Sequence, residues 1–135
     1  MNIPKVILKN RRLEMLLVPQ FFRFFQRPYL AWRKIPIVAI TGTNGKTTNA
    51  KLLNRIYLAA GYRVAMCCSE GAYRNDVLLE YGDQAGGLAI YLATRHQKID
   101  IVVAETASGG MFRNGLGFYT CRVGVVTNVY EDHLG

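Results

Sequence analysis

Lys46 stands in the run Thr41-Gly42-Thr43-Asn44-Gly45-Lys46-Thr47-Thr48, a glycine-punctuated turn that ends in a lysine and two hydroxyl residues. A turn of this kind between a strand and a helix points backbone N–H groups and the positive helix end at one spot, where phosphates bind. Lys46 adds a mobile cation for the β- and γ-phosphates of a nucleotide, and the Thr47 hydroxyl is placed to ligate Mg²⁺. The general pattern G-x-x-x-x-G-K-[ST] wants a glycine where this chain has Ile40. Gly42 takes that part, so the loop is a shorter variant. A plain strand-to-helix turn is the competing reading, and it leaves the Lys-Thr pair without a purpose.

The remaining candidates follow apolar runs. Glu105 closes Ile101-Val102-Val103-Ala104, the manner in which a strand delivers an acid to a phosphate-bound Mg²⁺. Thr106, Ser108 and Gly109-Gly110 come after it. Ser69 and Glu70 follow a second run, and Asn128, Glu131, Asp132 and His133 follow another. Against these roles stand plainer ones: Glu105 as a solvated strand-end cap, and His133 as a histidine with no task near a chain end. Asp132-His133 nonetheless supplies an oxygen and an imidazole nitrogen for a metal or substrate. Asp83, beside Gly82, and Asp100, at a strand start, read as turn and capping residues.

Four apolar runs must position these groups: Ile35–Ile40, Arg63–Cys68, Ile99–Ala104 and Val123–Val129, each short and continuous enough for a buried parallel strand. From Thr48 onward Leu52, Leu53, Ile56, Tyr57 and Ala60 recur at helical spacing, and Gly61 stops the helix. The pattern predicts a three-layer α/β phosphate-loop domain with a mostly parallel sheet, spanning 35–135. Open α/β sheets bind ligands outside the carboxyl ends of their strands, so the candidates should share one crevice with the Lys46 loop.

Three segments together resemble the ATP-binding central domain of the Mur ligase superfamily, and within it the Mur-like half of the cyanophycin synthetases. They are TGTNGKTT at 41–48, ETASGG at 105–110, and the segment from Val126 to Gly135, which carries Thr127-Asn128 and ends in EDHLG; a GDxxGG-like stretch at 82–87 adds to them. The resemblance implies an ATP-dependent ligase that joins a carboxylate, a peptide polymer being one candidate, to the amine of an amino acid through an acyl phosphate. It implies ATP and Mg²⁺ as cofactors. Gly42, Thr43, Asn44, Gly45, Lys46, Thr47, Thr48 and Asn128 form the nucleotide-binding set; Thr47, Glu105 and His133 hold metal; Lys46, Glu105 and His133 are the catalytic set. Two departures accompany it. Cyanophycin synthetases usually read ETARGG, so Ser108 replaces an arginine, with Arg113 nearby. The family also uses a carbamylated lysine beyond DHLG and a further C-terminal domain, whereas Lys98 is the last lysine here. The chain therefore reads as the first part of a ligase, and the rival function class is a nucleotide-dependent binding or regulatory module without ligase chemistry.

With 135 residues, half of them apolar, there is material for one domain with a core. A sheet stopping at a fourth strand leaves an edge open, which predicts a homo-oligomer or a covering partner. The charge is lopsided. Residues 1–34 hold eight of the 17 Lys and Arg against one acid, Glu14, and so carry nearly all of the net +8. Phe21, Phe22, Phe24, Phe25, Tyr29 and Trp32 lie among those arginines. Two readings of this extension compete: an interfacial helix on anionic lipid, or a helical extension packing its aromatics on the domain, Pro19 and Pro28 limiting any one helix. Its longest uncharged run, Met15–Phe22, is too short to span a bilayer. No cleavable secretory signal is legible, and three cysteines without zinc spacing suggest reduced thiols, so the expected location is cytoplasmic, peripheral at the membrane if the extension binds lipid. The basic residues are not interleaved with a nucleic-acid-binding pattern, so no nucleic-acid partner is expected.

Overall fold

The structure is a computed structural model that describes residues 27–107 and 116–130. Residues 27–33 are helical (α1). They lead into β1 (Ile37–Thr41), α2 (Lys46–Ala59), β2 (Val64–Cys68), β3 (Gly71–Arg74), β4 (Val77–Tyr81), α3 (Gly87–Thr94), β5 (Ile101–Glu105) and β6 (Val123–Val126). One six-stranded sheet has the order β4-β3-β2-β5-β1-β6. The four strands on the β6 side run parallel, and β3 and β4 are antiparallel.

β1, β2 and β5 read as continuous apolar runs because two layers cover them, whereas β6, expected as a buried strand, lies largely exposed at the sheet edge, with Val123 and Val126 48% and 62% exposed. Successive side chains leave opposite faces. Val38, Ile40, Val64, Met66, Ile101 and Val103 pack on the side of Ala50, Leu53 and Tyr57 from α2. Ile37, Ala65, Cys67, Val102 and Ala104 face Leu30 of α1 and Ala89, Ile90 and Ala93 of α3. The result is three layers, as the sequence predicts. Cys67 and Cys68 are core residues; burial pushes both thiols up, which keeps them neutral.

The sheet departs from expectation in its extent. Six strands are present where the apolar runs indicate four. The additional pair, β3 and β4, is a hairpin whose two-residue turn, Asn75-Asp76, takes positive φ at both positions (47° and 68°). Asn75 fastens this turn to β2: its Oδ1 accepts from Val64 N–H, and its own N–H donates to the Val64 carbonyl, both at 2.9 Å. The hairpin escapes pattern reading because β4, VLLEY, lies at the sheet edge and is exposed throughout, so it shows no alternation. α3 is short and apolar on all sides, which gives no helical period either.

α2 turns only part of its apolar pattern to the sheet. Ala50, Leu53, Asn54 and Tyr57, spaced i, i+3, i+4 and i+7, lie inward, whereas Leu52 and Ile56 are 58% and 52% exposed. The helix ends as its glycine predicts. Gly61 (φ 85°) sits past Ala60, its N–H reaching the Leu58 carbonyl and Tyr62 N–H the Tyr57 carbonyl, while the Tyr57 and Tyr62 rings meet edge to face at 5.8 Å.

α1 is bound to the domain. Tyr29 packs edge to face on Tyr91 and donates to the Thr94 carbonyl, and Arg33 donates to the Thr94 and Gln97 carbonyls. These contacts follow the packed-extension reading for Tyr29, whereas Trp32 is 77% exposed. The four phenylalanines of the extension lie outside the described residues. No helix among the described residues is long and apolar enough to cross a membrane.

Candidate active site

β1 delivers the loop. Its last residue, Thr41, pairs with Val126 of β6, and Ile40 pairs with Glu105 of β5. The loop at 42–45 thus leaves the sheet between two strand ends, and the chain goes on through α2 to β2, on the other side of β5. A crevice at the carboxyl ends of the strands is the result.

α2 begins within the loop motif, at Lys46, two residues earlier than its apolar pattern indicates. Its first intrahelical bond runs from Asn49 N–H to the Gly45 carbonyl at 3.0 Å. The N–H groups of Lys46, Thr47 and Thr48 precede that bond and are orphans of the helix start, available to an anion. Gly45 takes φ 81° just ahead of them, and no side chain caps the helix. Lys46 Nζ donates to the Gly42 and Thr43 carbonyls at 2.7 and 2.8 Å, which holds its charge at the loop's mouth.

Beside the helix start, Thr47 Oγ donates to Glu105 Oε2 at 2.8 Å, across 58 residues of sequence. The same oxygen accepts Ser69 N–H at 3.0 Å, and Ser69 Oγ lies 2.9 Å from Thr47 Oγ. The proton bookkeeping assigns the last bond. Thr47 has one hydroxyl proton and the carboxylate can only accept, so Ser69 donates to Thr47. Glu105 as a residue is only 3% exposed, which excludes the solvated cap. Among the described residues no cluster of three or more His, Cys, Asp or Glu gathers.

Thr47 and Glu105 fit Mg²⁺: both are hard oxygen donors, already within hydrogen-bond distance of one another. Mg²⁺ is typically held by one or two carboxylates plus substrate phosphates rather than by a full protein cage. His133, the third expected metal ligand, lies outside the described residues, as do Ser108, Gly109, Gly110, Arg113, Glu131 and Asp132.

Asn128 is in the crevice, and its neighbour is the loop itself. Its Oδ1 accepts Asn44 N–H at 2.9 Å and its Nδ2 donates to the Asn44 carbonyl at 3.1 Å. Thr127, named in the sequence only as part of the resemblance, and Tyr130, which the sequence does not mark, join it from the same segment. Thr127 Oγ donates its one proton to the Asn44 carbonyl at 2.7 Å, with the Thr41 carbonyl 3.2 Å away, and Tyr130 N–H donates to Thr43 Oγ at 3.1 Å. The one available signal was the Thr-Asn pair directly after a Val-rich strand. Gly42 shows how close the two segments run: at φ 133°, a Cβ there would sit 2.2 Å from Thr127 Oγ. Of the two predicted turn acids, Asp83 accepts Ala85 N–H, and Asp100 accepts both the backbone N–H and the guanidinium of Arg63.

The Mur ligase middle-domain model matches residues 40–135. Cyanophycin synthetase of Geminocystis herdmanii is 46% identical over 102 residues, which cover 76% of this chain and 12% of that protein. The UDP-N-acetylmuramoyl-L-alanyl-D-glutamate–2,6-diaminopimelate ligase of Wolinella succinogenes is 30% identical over 105 residues, 74% of this chain and 24% of the relative. The chain therefore spans a small part of the curated relatives it matches. Among solved structures, a UDP-N-acetylmuramoyl-L-alanyl-D-glutamate–2,6-diaminopimelate ligase superposes with a TM-score of 0.68 at 26% identity, over 87% of this chain and 26% of the other. E. coli FolC, in complex with DHPP and ADP, shares the fold, with a TM-score of 0.55 at 21% identity over 85% of this chain and 33% of its own. The loop at 41–48, the Thr47–Glu105 pair and these likenesses agree: the chain belongs to the Mur ligase family, as its middle domain.

Proposed function

We propose that this domain binds Mg²⁺-ATP for a ligase that joins a carboxylate to the amine of an amino acid, as in the cyanophycin synthetases. The observation that carries the reading is the Thr47–Glu105 hydrogen bond at 2.8 Å, set beside the helix start that Lys46 opens. A carboxylate resists attack by an amine until one of its oxygens becomes a leaving group. Transfer of the γ-phosphoryl group to that oxygen, with ADP departing, gives an acyl phosphate. The amine nitrogen then attacks the acyl carbon, phosphate leaves, and the nitrogen loses a proton to give the amide.

The chain's own groups serve the first half. The Lys46, Thr47 and Thr48 N–H groups and the helix end hold phosphate oxygens, and Lys46 exchanges its loop carbonyls for the β- and γ-phosphates. Thr47 and Glu105 would hold Mg²⁺, which when bound offsets the repulsion between two anions brought together. His133 is proposed as a further metal ligand on the family resemblance.

Glu105→Gln tests the reading, since it keeps the side chain's shape and removes its charge. The loss should appear in the Mg²⁺ dependence of nucleotide binding far more than in metal-free binding. Superimposable Mg²⁺ titrations of the two proteins would leave Glu105 as a structural acid only.

A further inference from the structure

The family resemblance places Asn128 among the nucleotide's own ligands, yet the geometry points elsewhere. We propose that Asn128 is a positioning residue: from the exit of β6 it sets the conformation of the phosphate loop, and it does not bind the nucleotide.

One side-chain amide brackets one residue's backbone. Oδ1 takes the Asn44 N–H and Nδ2 gives to the Asn44 carbonyl, so both ends of the amide plane are fixed by the same residue. Reversing the amide would set nitrogen against N–H and oxygen against carbonyl, so the orientation is determined by the network. Turning the side chain toward a phosphate breaks both bonds. The Asn128 main chain adds a third, its carbonyl accepting Thr43 N–H at 3.1 Å. The N–H groups of Thr43 and Asn44 are thus both consumed by Asn128, whereas those of Lys46, Thr47 and Thr48 are left for an anion. The loop divides into a clamped half and a binding half.

Two independent features tie the clamped half to the same segment. Thr127 Oγ donates to the Asn44 carbonyl at 2.7 Å, so that oxygen accepts two bonds from consecutive residues. Gly42 has a Thr127 contact that excludes even a methyl group, so the segment is seated against the loop without slack. The loop's glycines supply conformational freedom. The 127–128 segment removes it, and the Lys46 end is presented in one geometry.

The consequences for binding rest on the nucleotide reading; the clamp itself does not. The test uses the 135-residue chain. Amide exchange at Asn44 is followed by NMR without nucleotide, and Mg²⁺-ATP affinity by calorimetry, for the parent, Asn128→Ala and Asn128→Asp. Asn128→Ala should raise Asn44 exchange at least tenfold and weaken Mg²⁺-ATP about tenfold. Asn128→Asp at pH 7 accepts from Asn44 N–H but sets a carboxylate against the Asn44 carbonyl. Its affinity should recover relative to the parent as pH falls and the carboxyl gains a proton to donate. Should Asn128→Ala not fold, Thr127→Val and Asn128→Asp carry the same comparison. Unchanged Asn44 exchange alongside lost ATP affinity would make Asn128 a nucleotide ligand and overturn the proposal, as would no change in either. If Asn44 exchange responds while the parent itself does not bind Mg²⁺-ATP, the clamp stands and the nucleotide reading falls.

Discussion

At the residue scale the proposed chemistry rests on Lys46, Thr47 and Glu105, which the sequence names from type and spacing. What it could not supply was who touches whom. Thr47 and Glu105 are 58 residues apart and meet only because β5 pairs with β1, and Ser69 enters their bond because β2 lies beside β5. The loop's dependence on Thr127 and Asn128 was hidden for the same reason. Gly42 carries a prediction of this kind. Gly42→Ala forces a side chain into φ 133° and onto Thr127 Oγ, so it should cost on the order of 3 kcal/mol in urea unfolding. Gly61→Ala, strained in φ but meeting nothing within 4 Å, should cost less, about 1 kcal/mol. Equal losses would show that backbone strain alone matters at Gly42.

Among the elements, β1, β2 and β5 were legible because burial on both faces keeps them apolar up to their carboxyl ends, whereas β6 was legible from its valines alone and lies largely exposed at a sheet edge. The β3–β4 hairpin was not, since its outer strand sits at the sheet edge and carries apolar residues on both exposed sides. Only part of the apolar pattern of α2 meets the sheet: Leu53 and Tyr57 pack inward and Ala50 is fully buried, while Leu52 and Ile56 point outward. One electrostatic contact joins two element ends. The Arg63 guanidinium and backbone N–H at the start of β2 hold the Asp100 carboxyl down to about 2, below its ordinary value of 3.8. A group whose folded value is depressed contributes stability above its unfolded value and loses it as pH falls toward the folded one. Asp100→Asn should therefore be less stable than the parent by a constant margin above about pH 4, and the margin should shrink between pH 4 and 2. The pair is solvent-exposed, so the margin is small. A margin that stays constant down to pH 2 would remove Arg63 as its cause.

On the scale of the whole molecule, the three-layer architecture follows the sequence reading, and the family match agrees with it. Ligation asks for more than one wall of a site. The acceptor carboxylate must be aligned with the γ-phosphate, and an amine held against the acyl phosphate with water excluded. The chain spans 12% of its cyanophycin synthetase relative, so ligation is a proposal for the whole protein, and what this domain itself is tested for is nucleotide binding. The central claim is nucleotide binding at the Lys46 loop, and calorimetric titration of Mg²⁺-ATP into the parent and Lys46→Ala tests it most directly. The parent should bind, and the variant should bind more weakly by about 1.5 to 3 kcal/mol with an unchanged melting profile. Equal affinity in the two proteins, or no binding by the parent, would contradict it.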